Sequence, residues 1–116
     1  MFRSKLEESV ADILFENEVR FDYEEDKIPY VLEKNYIPDF KLPNGIYLEA
    51  KGLWDSADRR KILAVIKQNP KIDLRMIFQN PYQKISKKSK TTYAKYCDRH
   101  GIKWCASYLI PVDWFQ

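Results

Sequence analysis

The tripeptide Pro43-Asn44-Gly45 does more than any other feature to limit what this chain can become. Proline presets the backbone for a turn, and Asn-Gly accepts the left-handed conformations that tight reversals need. Short extended arms flank it, Pro38 to Leu42 before and Ile46 to Lys51 after. The segment 38–51 therefore reads as a β-hairpin, and the fold must contain a sheet. With a three-residue loop, Leu42 pairs with Ile46, and counting back sets Asp39 directly opposite Glu49. Gly52 ends the second arm.

Helices and strands alternate around this hairpin. Ser4-Lys5-Leu6-Glu7 reads as a capping box, and Leu6, Val10, Ile13 and Leu14 follow at helical spacing, so a helix should run to about Asn17. Val19, Phe21 and Tyr23 alternate with Arg20, Asp22 and Glu24, the pattern of a half-buried strand over 19–24. Pro29 and the pair Glu33-Lys34 make 25–37 an extended connector or an edge strand. After the hairpin, Asp55 or Ser56 can cap a helix running to about Asn69, with Ile62, Leu63, Val65 and Ile66 as its apolar face. Leu74 to Gln79 is apolar enough for a central strand. Thr91 or Thr92 opens a third helix that Gly101 closes, Ile102 to Ala106 is a last strand, and Leu109 to Phe115 should pack back on the body.

The hairpin concentrates the chemistry. Opposed side chains in a sheet lie about 5 Å apart, and two carboxylates that close repel unless a cation sits between them. Strand alternation turns Lys51 to the same face as Glu49. It turns Ala50 away, toward the core, while leaving the Ala50 carbonyl as a possible metal ligand. Hard oxygen donors favour Mg²⁺ or Mn²⁺ over zinc, and a hydrated Mg²⁺ can deliver a water nucleophile. A lysine beside it can orient that water or stabilise charge on a phosphate. The arrangement suits phosphodiester hydrolysis; the alternative is an ordinary strand start with solvent-facing charges. Glu7 has two competing roles, in the capping box or in an acidic cluster, and spacing does not choose between them.

Charge is divided along the chain. Residues 1–50 hold six Lys/Arg against twelve Asp/Glu; residues 51–116 hold fourteen against five. A basic half suits a polyanion, although solvated surface charge would look the same. Lys84, Lys87, Lys88 and Lys90 crowd the stretch just before the third helix, a good place for phosphate contact. Arg59, Arg60 and Lys61 open the second helix, and Arg3 and Lys5 flank Glu7 where they could clamp a strand of DNA. No residue set is built for reading base edges, so recognition by shape or backbone is expected. Cys97, His100 and Cys105 lack a fourth ligand for zinc, and two cysteines make no disulfide framework and suit a reducing compartment. No apolar run approaches a membrane span, and the early acidic residues do not read as a signal peptide. The 17 aromatic residues are expected mostly in the core or at a dimer interface.

Several segments resemble, in order, the phage endonuclease I family of Holliday-junction resolvases. They are Phe2-Arg3-Ser4-Lys5-Leu6-Glu7, Phe21-Asp22-Tyr23-Glu24-Glu25, Pro38 to Ile46, Glu49-Ala50-Lys51-Gly52-Leu53-Trp54, His100 to Trp104 and Leu109-Ile110-Pro111. That family belongs to the PD-(D/E)xK nuclease superfamily. The resemblance implies an active site of Glu7, Asp39, Glu49 and Lys51, and an intertwined dimer in which the first helix and strand pack on the other chain. Compared with the family, the chain lacks a basic extension before Phe2-Arg3-Ser4 and a lysine-rich tail, which implies weaker or more salt-sensitive DNA binding.

The expectation is thus an α/β protein, a small restriction-endonuclease-like mixed sheet flanked by helices, forming an intertwined, domain-swapped homodimer. Residues 1–116 should make one nuclease domain, with 25–37 as the inter-subunit connector. It should resolve four-way junctions and other branched DNA in the host cytoplasm with Mg²⁺, Mn²⁺ being able to substitute, and with no small-molecule cofactor and no membrane partner. Asp39, Glu49, Glu7 and the Ala50 carbonyl are the expected metal ligands. A sequence-specific or transposase-type nuclease of the same superfamily, a non-catalytic DNA-binding module and a plain structural protein are the alternatives.

Overall fold

A computed structural model describes residues 1–116. The chain forms two compact units, Met1–Lys34 and Asn35–Gln116. No helix is long and apolar enough to cross a membrane.

The first unit is built on helix α1, Lys5–Glu16. Ser4 caps it, its hydroxyl accepting the Glu7 N–H at 3.1 Å. The reciprocal bond of the capping box reaches one residue further back, from the Arg3 N–H to Glu7 Oε1 at 3.3 Å. At the other end the Val19 N–H bonds the Leu14 carbonyl and the Glu18 N–H bonds the Phe15 carbonyl, with Glu18 in the left-handed region at φ 58°. These bonds make a Schellman closure without glycine. Only Ala11 of α1 is buried; Leu6, Val10, Ile13 and Phe15 are exposed. The strand expected over 19–24 is absent. Alternation alone does not make a strand, which also needs a neighbour for its N–H and C=O groups, and no segment of this chain supplies one. Val19 and Phe21 lie open, while Phe2 stacks edge-on against Tyr23.

The second unit holds a four-stranded mixed sheet in the order β1-β2-β3-β4, with β1 Phe40–Lys41, β2 Ile46–Lys51, β3 Asp73–Phe78 and β4 Trp104–Ala106. β1 runs antiparallel to β2, and β2, β3 and β4 run parallel. Helix α2, Ser56–Gln68, bridges β2 to β3, and α3, Tyr93–Arg99, lies between β3 and β4, so both parallel pairs are βαβ crossovers. Asp55 caps α2 by accepting the Asp58 N–H at 2.8 Å, and Thr92 caps α3 by accepting the Lys95 N–H at 3.1 Å. Gly101 closes α3 at φ +69°, with the Ile102 N–H on the Cys97 carbonyl and the Gly101 N–H on the Asp98 carbonyl.

Both helices of this unit cover one face of the sheet. Leu74, Met76 and Phe78 of β3 pack there with Trp54, Ile62, Tyr93, Cys97 and Ile102. The other face carries Ile46, Leu48, Ile77 and Cys105, covered by Trp114 of the 3₁₀ turn Val112–Phe115. The tail thus packs on the sheet. Trp54, fully buried, meets the rings of Tyr93 and Tyr96 nearly at right angles.

Candidate active site

Phe40 pairs with Leu48 and Lys41 with Tyr47. The same register continues to the turn, where the Leu42 N–H bonds the Ile46 carbonyl at 2.8 Å and the Gly45 N–H bonds the Leu42 carbonyl at 3.0 Å. Gly45 takes φ +91°, the left-handed conformation the loop requires. Asn44 fixes the turn from both sides: its Oδ1 accepts the Ile46 N–H, and its amide nitrogen donates to the Trp114 and Gln116 carbonyls.

This register sets Asp39 across from Glu49, just beyond the end of β1. The two touch through the main chain. The Asp39 N–H donates to Glu49 Oε1 at 3.3 Å, and the Ala50 N–H donates to Asp39 Oδ2 at 2.9 Å. Glu49 is 6% exposed, unusual for a carboxylate, and faces the helix-covered side of the sheet with Tyr47 and Lys51. Lys51 Nζ stands 3.7 Å from Glu49 Oε2 and 3.5 Å from Asp58 Oδ2. The arrangement is therefore two carboxylates and an ammonium on adjoining strands, bordered by the first turn of α2.

Two groups at this site carried no recognisable signal in the sequence. Tyr36 donates its hydroxyl to Glu49 Oε1 at 2.6 Å, and burial together with that bond pushes the phenol well above its ordinary acidity range. It lies in the stretch 25–37, read from the sequence as an extended connector or an edge strand. Asp58 is the second neighbour of Lys51, and in sequence it is one more acidic residue in a helix start. Lys61 Nζ lies over the Tyr36 ring at 5.8 Å and 4.0 Å from Asp58 Oδ1.

Two expected placements need correction. Ala50 does not enter the core: its side chain turns to the face opposite Glu49, but it is exposed there, outside the Trp114 cluster. Arg59 is not a free surface cation. It is 9% exposed, donates to the Trp54 carbonyl at 2.7 Å and the Ile85 carbonyl at 3.5 Å, and stacks over Tyr96. Three adjacent cations look alike in sequence, but the helix turns the first of them inward. There a guanidinium satisfies carbonyls that irregular chain would otherwise leave unpaired.

The remaining cations are exposed. Arg60 and Lys61 lie on the outer side of α2, and Lys84, Lys87, Lys88 and Lys90 line a loop closed by a bridge between Lys84 and Thr92. In the first unit, Lys5 is exposed and Arg3 pairs with Glu24 at 3.0 Å. Glu7 belongs to that unit, where its Oε1 also accepts the Tyr23 hydroxyl, the bond most responsible for raising the Tyr23 pKa. The Cys97 thiol is buried and pushed up to about 12 by that burial, a poor state for a metal ligand.

A metal fits the donor chemistry of the hairpin. Each carboxylate keeps one oxygen outside these hydrogen bonds, Oδ1 of Asp39 and Oε2 of Glu49. Both are hard donors suited to a divalent cation. Nowhere do three His, Cys, Asp or Glu groups of the chain come together as a ready metal cage.

The family model described as phage endonuclease I matches residues 1–116. Endonuclease I of Escherichia phage T7 is 46% identical over 118 residues, covering 99% of this chain and 78% of the T7 protein. Endodeoxyribonuclease 1 of Enterobacteria phage T3 is 47% identical over 114 residues, covering 96% of this chain and 74% of the T3 protein.

Proposed function

The chain belongs to the phage endonuclease I family, and on that footing we propose that it is a divalent-metal-dependent DNA endonuclease that resolves four-way junctions and other branched DNA. The observation that carries the chemistry is the pairing of Asp39 with Glu49, with Lys51 on the same face. Asp39 and Glu49 would hold Mg²⁺, or Mn²⁺ in its place, with Glu7 and the Ala50 carbonyl completing the set. When bound, such an ion supplies an activated water and neutralises charge on the phosphate.

Lys51, held between Glu49 and Asp58, directs its side-chain nitrogen toward the attacked phosphate or the incoming water. Lys84, Lys87, Lys88 and Lys90, with Arg60, Lys61, Arg3 and Lys5, make the phosphate contacts that orient the substrate. Arg59 is left out of this set because its guanidinium is committed to the fold.

Cutting both strands of a junction symmetrically calls for two sites, which a two-fold homodimer provides. The open apolar residues of α1 and the unpaired alternation over 19–24 support a second copy as the partner of the first unit. In this reading 25–37 is the crossing segment, residues 1–116 make one nuclease domain shared between copies, and Glu7 reaches the Asp39, Glu49 and Lys51 of the other copy.

The deciding experiment compares cleavage of a four-way junction with that of a linear duplex of the same sequence, with and without Mg²⁺. Cleavage should require the metal and favour the junction. Equal cutting of both substrates would overturn the junction assignment, and undiminished cutting in chelator would overturn the metal requirement.

A further inference from the structure

Glu49 is the most deeply buried carboxylate of the hairpin, and the way its two oxygens are divided is specific. Oε1 accepts two bonds, from the Tyr36 hydroxyl at 2.6 Å and from the Asp39 N–H at 3.3 Å. Oε2 accepts none and faces Lys51. A carboxylate with one oxygen fixed by two donors cannot rotate freely, so the other oxygen points in one direction. Both donors come from one short stretch of chain, Tyr36 to Asp39, which leads into β1. Tyr36 is itself anchored: its ring packs against the helix-side core and lies under the Lys61 ammonium. The tyrosine therefore has a fixed place from which to hold the glutamate.

We propose that Tyr36 is a positioning residue of the nuclease site, holding Oε1 of Glu49 so that Oε2 alone is presented to the divalent cation. The proposal rests on the reading of Asp39, Glu49 and Lys51 as that site. Tyr36 is not a catalytic residue in this scheme; it acts through Glu49, as partners of metal ligands do when they fix ligand orientation. Glu7 likewise accepts a tyrosine hydroxyl, from Tyr23, so both glutamates assigned to the site carry a phenol on one oxygen.

The test uses the full-length protein and the metal alone. Mn²⁺ binding is measured from the electron paramagnetic resonance signal of free Mn²⁺, in the unmodified protein and in Tyr36→Phe, which removes only the hydroxyl and keeps the packed ring. Affinity should fall by roughly 10-fold or more. The metal concentration that half-saturates junction cleavage should rise by a similar factor, while the rate at saturating Mn²⁺ and the affinity for junction in metal-free buffer should change little. Replacing Tyr36 with 4-aminophenylalanine restores a donor at the same place and should recover most of the lost affinity.

Unchanged Mn²⁺ affinity in Tyr36→Phe would overturn the proposal. So would an equal loss in the Phe and 4-aminophenylalanine proteins, since the hydrogen bond would then not be the cause. Glu49→Ala separates this from the underlying reading. If that protein still binds Mn²⁺ and cleaves normally, the site itself is wrong. If it does neither, while Tyr36→Phe behaves as the unmodified protein, only the role of Tyr36 falls.

Discussion

Each side chain at the hairpin is there for a reason that a single substitution can examine. Removing any one of Asp39, Glu49 and Lys51 by alanine should cut junction cleavage by roughly 100-fold or more, because a metal ligand or the group facing developing charge is removed. Binding of the junction should persist in all three, and Asp39→Ala or Glu49→Ala can tighten it by taking a negative charge away from the phosphates. Paired cleavage and gel-shift measurements check this, and full activity of Glu49→Ala would refute the assignment. These three residues were legible in the sequence because the register follows from a turn of known length, and the register decides which side chains meet. Tyr36 and Asp58 were not. A tyrosine two residues before a proline has many uses, and an aspartate in the first turn of a helix is explained by the helix dipole alone. Arg59 misled for the opposite reason: burial of a cation leaves no mark in composition, and only its partners, the Trp54 and Ile85 carbonyls, account for it.

At the level of the element, helix ends show how local chemistry fixes boundaries. Ser4, Asp55 and Thr92 all cap as their sequence positions suggest, and the three helices begin where expected. The two Schellman closures differ in one respect. Gly101 suits its positive φ, whereas Glu18 adopts the same region against the clash of its Cβ. Gly101→Ala should cost about 1 kcal/mol, and Glu18→Gly should add up to about 1 kcal/mol, both read from chemical denaturation midpoints. A stabilising Gly101→Ala would contradict the strain argument. The lysine loop before α3 gives a second prediction at this scale. Changing Lys84, Lys87, Lys88 and Lys90 together to alanine should weaken junction binding and flatten its salt dependence, by about 0.9 in the log–log slope for each phosphate that is no longer neutralised. The cleavage rate at saturating substrate should change less. An unaltered slope would take the loop off the DNA. What local pattern could not reveal is the state of 19–24, where strand-like alternation is present and a strand partner is not.

On the scale of the whole molecule, the open apolar residues of the first unit lead to a test of shared sites. Co-expressed Glu7→Ala and Asp39→Ala chains should give a mixed dimer that nicks one strand of a junction, since one site then collects both defects and the other none. An inactive purified heterodimer would rule out the exchange of Glu7 between copies and leave the rest of the site standing. One further consequence follows from β2. Ile46 and Leu48 hold the Trp114 side of the sheet, while Tyr47, Glu49 and Lys51 face the helices. Loss or gain of one codon within this strand would exchange the two sets, turning the carboxylate and the ammonium toward Trp114 and the apolar pair toward the reaction centre. The apolar positions of the strand can exchange one hydrophobic residue for another over generations while its length cannot change, so insertions and deletions that survive in relatives should fall outside 46–51.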